Sequence, residues 1–162
     1  LLSACFNDTS IITSIKSMQL IIFTGVQASG KSTFYLQYFY HTHLRLNLDM
    51  LNTRHRENII FEACLASKTK MVIDNTNMSK ADRARYIQRA KDAEFEVISY
   101  YFETDLRSTL QRNAKREGKA NISEQGIKAT LRRLEIPDFN EGFKELFRVK
   151  LIENNGFSIQ VY

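Results

Sequence analysis

Residues 25–33, Gly-Val-Gln-Ala-Ser-Gly-Lys-Ser-Thr, have the types and spacing of a loop that cradles a polyphosphate. Gly25 and Gly30 let the backbone curl with its N–H groups inward, where phosphates sit at a helix N-terminus. Lys31 would set an ammonium on the β- and γ-phosphates, and the Ser32 hydroxyl would take one position on a magnesium ion. Gln27, Ala28, Ser29 and Thr33 complete the segment expected to hold ATP. Position gives the string its weight: it follows the apolar run Leu20-Ile21-Ile22-Phe23 and opens a helical stretch, Lys31–Tyr40.

The elements behind this loop alternate strand and helix. Leu44–Leu48 reads as a strand ending at Asp49, and Thr53–Ser67 as a helix with Ile59, Ile60, Ala63 and Cys64 on one side. Met71-Val72-Ile73 is a short apolar strand ending at Asp74. Ser79-Lys80-Ala81-Asp82 is a capping box, opening a helix to about Ala93 with Ala81, Ala84, Ile87 and Ala90 inside. Glu96–Phe102 is a Val/Ile/Tyr-rich strand; Asp105–Arg116 and Ser123–Leu134 are helices, and Pro137 breaks the chain beyond them. Val149–Ile152 and Phe157–Val161 are closing strands around an Asn154-Asn155-Gly156 turn.

Strands separated by helices imply parallel pairing through right-handed crossovers. The expected fold is α/β of the P-loop NTPase type. It has a mostly parallel five-stranded sheet sandwiched by helices. Ligands of such sheets bind beyond the carboxyl ends of the strands, so the loop, Asp49 and Asp74 should gather at one edge.

The chain has 162 residues, enough for one domain with a real core. No apolar stretch approaches the ~20 residues of a membrane span. Cys5 and Cys64 are the only cysteines, which excludes a disulfide framework or zinc cluster and suits a reducing cytoplasm. His41, His43 and His55 lack metal-ligand spacing. Net charge is +5, and eight Lys/Arg fall between Arg107 and Arg133 against Glu117 and Glu124. That run favours a polyanionic ligand, although a solvated helix face has the same look. Residues 1–17 are Ser/Thr-rich without a signal-peptide pattern and are expected to be a lead-in to a single P-loop domain at 18–162.

From about Leu20 to Leu151 the chain resembles the polynucleotide 5′-hydroxyl kinase family, without its phosphatase. The resemblance lies in GVQASGKST, then LNLD (46–49), VIDNTNMSKADRARY (72–86), QRNAKR (111–116) and EGFKELF (141–147). It implies ATP and Mg²⁺ as cofactors and 5′-hydroxyl ends of DNA or RNA as acceptors. It also implies repair or ligase proteins as partners, and no membrane. Asp49 matches the general base, although an aspartate here also serves as a helix cap. Asp74 would hold a magnesium-bound water or orient Ser32, or act as a plain turn residue. Thr76 and Asn77 would line the acceptor side. The resemblance further implies an adenylate-kinase-like fold with a small arginine-bearing lid: Arg116 matches the lid arginine of the transferring phosphoryl group, and Arg112 would lie over the nucleotide from the same helix face.

Some positions depart from the family pattern. Asn52 stands where phage-type members have an acceptor-binding arginine, Leu48 interrupts the Asn-Arg-Asp segment, and Ser123 replaces a proline. A small-molecule kinase acting on a nucleoside, sugar or antibiotic hydroxyl is the first alternative, and a non-catalytic nucleotide-binding module the second. Phe34, Tyr35, Tyr38, Phe39 and Tyr40 could stack bases or pack on the sheet.

Overall fold

The computed structural model describes residues 17–118, 121–152 and 156–162. Strands β1 (Gln19–Thr24), β2 (Leu44–Leu46), β3 (Met71–Ile73), β4 (Glu96–Phe102), β5 (Glu145–Leu151) and β6 (Phe157–Val161) form one sheet. Their order is β2-β3-β1-β4-β5-β6; the first five are parallel and β6 runs antiparallel to β5. The sheet thus has six strands rather than five, because Phe157–Val161 pairs along the β5 edge.

The helices are α1 (Lys31–Tyr38), α2 (Leu48–Leu51), α3 (Arg54–Ala66), α4 (Lys80–Asp92), α5 (Leu106–Asn113) and α6 (Glu124–Arg133). Side chains of β1 alternate between two cores, as the pleat requires. Leu20 and Ile22 pack with Leu46, Phe61, Tyr86 and Ile87. Ile21 and Phe23 pack with Phe34, Tyr35, Phe39 and Phe102. Three of the five crowded aromatics are therefore core, while Tyr38 and Tyr40 are exposed.

Several boundaries and faces differ from expectation. β2 stops at Leu46 because Asn47 caps α2, its side chain accepting from the Met50 N–H. α3 buries Glu57, Phe61, Cys64 and Leu65, and leaves Ile59 exposed. In α4 Ala81 and Ala84 face solvent, while Arg83, Tyr86, Ile87 and Ala90 face inward. The box at its start does form: Ser79 Oγ accepts from Asp82 N at 3.1 Å and Asp82 Oδ2 from Ser79 N at 3.3 Å. β5 begins at Glu145, four residues before the expected Val149.

Arg83 is fully buried and carries a structural load that a helix-face pattern does not announce. Its Nε and Nη2 donate to Glu141 at 2.7 Å each, and Nη1 donates to Asn77 O and Glu135 O at 3.0 Å each. It thereby pins the segment after α6 to the loop between β3 and α4. Among the described residues no helix is long and apolar enough to cross a membrane. Cys5, Lys119, Asn154, Asn155 and all but Ser17 of the expected lead-in lie outside the described residues.

Candidate active site

The phosphate loop is shaped by one close approach and two left-handed residues. A Cβ at Gly25 would meet Phe102 Cβ at 2.8 Å, so only glycine passes there. Ala28 (φ 59°) and Gly30 (φ 97°) are left-handed and turn the chain inward. Gly25 N donates to Thr76 O at 3.1 Å, which ties the loop to the segment after β3. No side chain caps α1, so its first-turn N–H groups are left for a ligand.

Lys31 curls back over this loop, its Nζ donating to Gly25 O at 2.8 Å and Val26 O at 2.7 Å. Burial pushes its ammonium down to about 8; Asp74 and Asp49 oppose the fall, and Arg116 adds to it. Lys31 thus feels the charges of three other expected site residues, Asp74, Arg116 and Asp49.

Ser32 and Asp74 also converge, but through a residue that no motif marked. Arg45, in the middle of β2, donates from Nη2 to Ser32 Oγ at 2.7 Å and to Asp74 Oδ2 at 2.5 Å. Its Nε reaches the same carboxylate oxygen at 2.8 Å, and its guanidinium lies 5.3 Å from the Tyr35 ring centroid. The only sequence signal was a charged residue inside an apolar strand beside a strand-end aspartate. Two hard oxygens meeting around one cationic nitrogen have the donor chemistry and convergence that a magnesium ion uses. Ser32 and Asp74 therefore fit the metal role expected of them, directly or through water.

Asp49 is exposed, on α2 rather than at a strand end. That turn is tightly clamped. Asn47 Nδ2 donates to Asp74 O at 2.6 Å, Leu48 N to Asn75 Oδ1 at 2.8 Å, and Asn75 Nδ2 to Glu57 Oε1 at 2.6 Å. Thr76 is half-buried beside the loop. Asn77 does not line the cleft: it is 2% exposed, and its Nδ2 donates to Phe23 O at 2.7 Å, stapling β1 to the β3 exit.

Over the loop lies α5, with α6 packed against it. Arg112 Nε donates to Ala28 O at 2.7 Å and Nη2 to Thr104 Oγ1 at 2.6 Å. α5 ends at Asn113, so Arg116 sits on the turn beyond and does not share a helix face with Arg112. The helix stops because the Asn113 side chain, 5% exposed, bonds Ile122 N and O at 3.0 and 2.7 Å and closes the lid loop. A cleft of about 270 Å³ lies beside Arg112, lined by Glu103, Thr104, Asp105, Ser108, Lys150 and Leu151.

A parallel sheet, a lysine-bearing loop at the N-terminus of α1, and an arginine lid define a P-loop NTPase-like α/β domain of the kinase-like type. A family model described as an AAA domain matches residues 20–137, and the chain belongs to that family.

Solved structures share the fold. Kti12 of Chaetomium thermophilum, in complex with ADP-AlF3, aligns at TM-score 0.63 and 18% identity over 83% of this chain and 90% of its own. A gluconokinase from Sinorhizobium meliloti 1021 aligns at 0.58 and 16% over 84% of each chain. A sugar kinase from Janibacter sp. HTCC2649 aligns at 0.60 and 14% over 81% of this chain and 85% of its own. The P-loop NTPase-like fold implies nucleotide binding.

Proposed function

We propose that residues 18–162 form an ATP- and Mg²⁺-dependent kinase that transfers the γ-phosphate to a 5′-hydroxyl end of DNA or RNA. Asp49 accepts the proton of the attacking hydroxyl as its oxygen bonds to the γ-phosphorus. The bond from that phosphorus to the β–γ bridging oxygen breaks, releasing ADP. Lys31 and Arg116 balance charge on the transferring group, while the first-turn N–H groups of α1 hold the β-phosphate. Magnesium, bound through Ser32 and Asp74, would supply further charge neutralisation on the phosphates. Arg112 keeps the lid on the loop.

One observation carries the choice of a polyanionic acceptor. Arginines elsewhere are mostly paired: Arg45 with Asp74, Arg54 with Glu57, Arg83 with Glu141, Arg85 with Asp82 and Arg89 with Glu62. On the lid and its flank, Arg107, Lys115, Arg116, Arg132 and Arg133 have no ion pair among the described residues. The C-terminal end of α6 meets the acceptor-side loop, Glu135 N donating to Met78 O at 2.8 Å. Unpaired cations on that path suit a phosphodiester backbone. We place the enzyme in the cytoplasm, where separate repair or ligase proteins would use the 5′-phosphate.

A small-molecule kinase is the second reading. It is favoured by Asn52 at the position of the family's acceptor arginine and by the fold shared with a gluconokinase and a sugar kinase. The salt dependence of KM separates the two. An oligonucleotide acceptor gripped by several cations loses affinity steeply with salt, whereas a polyol or nucleoside does not. Phosphorylation of a sugar or nucleoside panel, with oligonucleotides inert, would overturn the nucleic-acid reading.

A further inference from the structure

The contact between Arg45 and the pair Ser32–Asp74 has no part in the phosphoryl transfer, yet it stands where the metal belongs. Asp74 is 2% exposed, so its charge needs a partner, and Arg45 is its ion pair. Both oxygens converge on one nitrogen, Arg45 Nη2, at 2.7 and 2.5 Å. A magnesium ion would sit closer still to Ser32 Oγ, at ~2.1 Å, and needs near-octahedral room around it. Two cations crowded around the same pair of oxygens repel strongly away from bulk water.

Arg45 is also placed to leave. It lies on β2, an edge strand of the sheet, its side chain is 22% exposed, and on its other side its guanidinium meets the face of Tyr35. Lys31 is not an alternative plug, because its Nζ is turned onto Gly25 O and Val26 O.

We propose that Arg45 guards the metal position: its guanidinium holds Ser32 and Asp74 together in the ligand-free protein and is expelled when Mg²⁺ enters with the nucleotide. Arg45 is then a positioning residue. It keeps the two oxygens converged before the metal arrives, and it raises the metal concentration at which the nucleotide binds. The proposal rests on the magnesium–nucleotide part of the proposed function and not on the identity of the acceptor.

The test is to follow the Nε–H resonance of Arg45 in ¹⁵N-arginine-labelled protein, assigned by its loss in Arg45→Lys. The resonance should be sharp and exchange-protected in the free protein and with ADP plus chelator. It should shift and lose protection with saturating Mg²⁺ and ADP. In parallel, half-maximal Mg²⁺ for binding a fluorescent ADP should fall about tenfold in Arg45→Gln, with Arg45→Lys in between, because a charged hydrogen bond competing with the metal is gone. An Arg45 resonance unchanged by Mg²⁺–ADP overturns the proposal, as does an unchanged or higher Mg²⁺ requirement in folded variants. If the variants fail to fold, the wild-type resonance, assigned instead by through-bond correlation from the Arg45 backbone, decides alone. ADP binding without any magnesium dependence removes the metal position and the guard with it. Failure to phosphorylate oligonucleotides would sink the acceptor assignment and leave the guard standing.

Discussion

Arg112 Nε donates to the carbonyl of Ala28 at 2.7 Å, joining the lid helix to the left-handed residue at the top of the phosphate loop. In the proposed reaction the two lid arginines divide their work. Arg112 holds the lid to the loop, and Arg116, on the turn beyond the helix, acts within the field of Lys31. Arg116→Ala should lower kcat by ~10³ or more with ADP affinity near wild type, as for a residue that stabilises transferring charge. Arg112→Ala should chiefly weaken nucleotide binding. Equilibrium binding beside steady-state kinetics checks this, and equal loss of kcat in both variants would contradict the division.

Lys31 gives nucleotide binding a pH signature. Burial lowers its pKa from 10.5 to about 8 in the free protein, and bound phosphates favour the charged form. Binding above pH ~8 therefore takes up a proton, and affinity falls by up to about tenfold per pH unit. The free protein behaves oppositely. Between about 8 and 10.5 the unfolded chain holds a proton that the folded chain has released, so this group adds stability as pH rises. Calorimetry in buffers of different ionisation enthalpy should detect the uptake at pH 8.5, and proton-neutral binding there would contradict it.

His43 should make the fold acid-sensitive. It is 8% exposed, edge-on to Phe39, and held from 6.5 down to about 4 by burial and then by Lys70. Its folded pKa lies below its unfolded one, so stability is full above pH 6.5 and falls as pH drops toward 4, by at most about 3 kcal/mol. Urea unfolding of wild type and His43→Gln from pH 7 to 4 should show a shallower slope in the variant. Parallel slopes would contradict the assignment.

The buried pair of Arg83 and Glu141 offers a stability test. Glu141→Ala leaves a fully buried guanidinium short of its carboxylate and should cost about 3–5 kcal/mol. The double replacement Arg83→Met with Glu141→Leu should recover most of that loss, since the desolvation of both charges disappears. A double variant no more stable than the single one would show that the bonds to Asn77 O and Glu135 O matter more.

How far these features could be read from sequence depends on whether their cause is local. The phosphate loop is legible because its glycines and lysine fix the backbone curl within nine residues, and the Ser79–Asp82 box because both partners lie in one turn. Asp74 directly follows β3, which puts it at the sheet edge before any coordinate is known, whereas Asp49 falls on α2 because Asn47 ends β2 and caps a helix. Arg45 was hidden because its meaning depends on an edge-strand register and a carboxylate 29 residues away. Arg83 was hidden because the alanines suggested a face that the remote Glu141 overrides. Asn77 was misplaced because a polar residue in a functional stretch can serve as a staple, here to Phe23 O. The end of α5 before Arg116 is set by the closure of Asn113 on Ile122, a contact across the lid loop.

Kinase action on nucleic-acid ends is tested most directly by transfer of labelled γ-phosphate from ATP, with Mg²⁺, to a 5′-hydroxyl oligonucleotide by wild type and Asp49→Asn. Asp49 is exposed and clamped only through its neighbours, so the variant should fold and bind ADP normally. Label should appear on the 5′-hydroxyl end and not on a 5′-phosphorylated control, at a rate ~10²–10⁴ lower in the variant. ADP binding with no transfer to any DNA or RNA end, or transfer that survives Asp49→Asn intact, would contradict the proposed function.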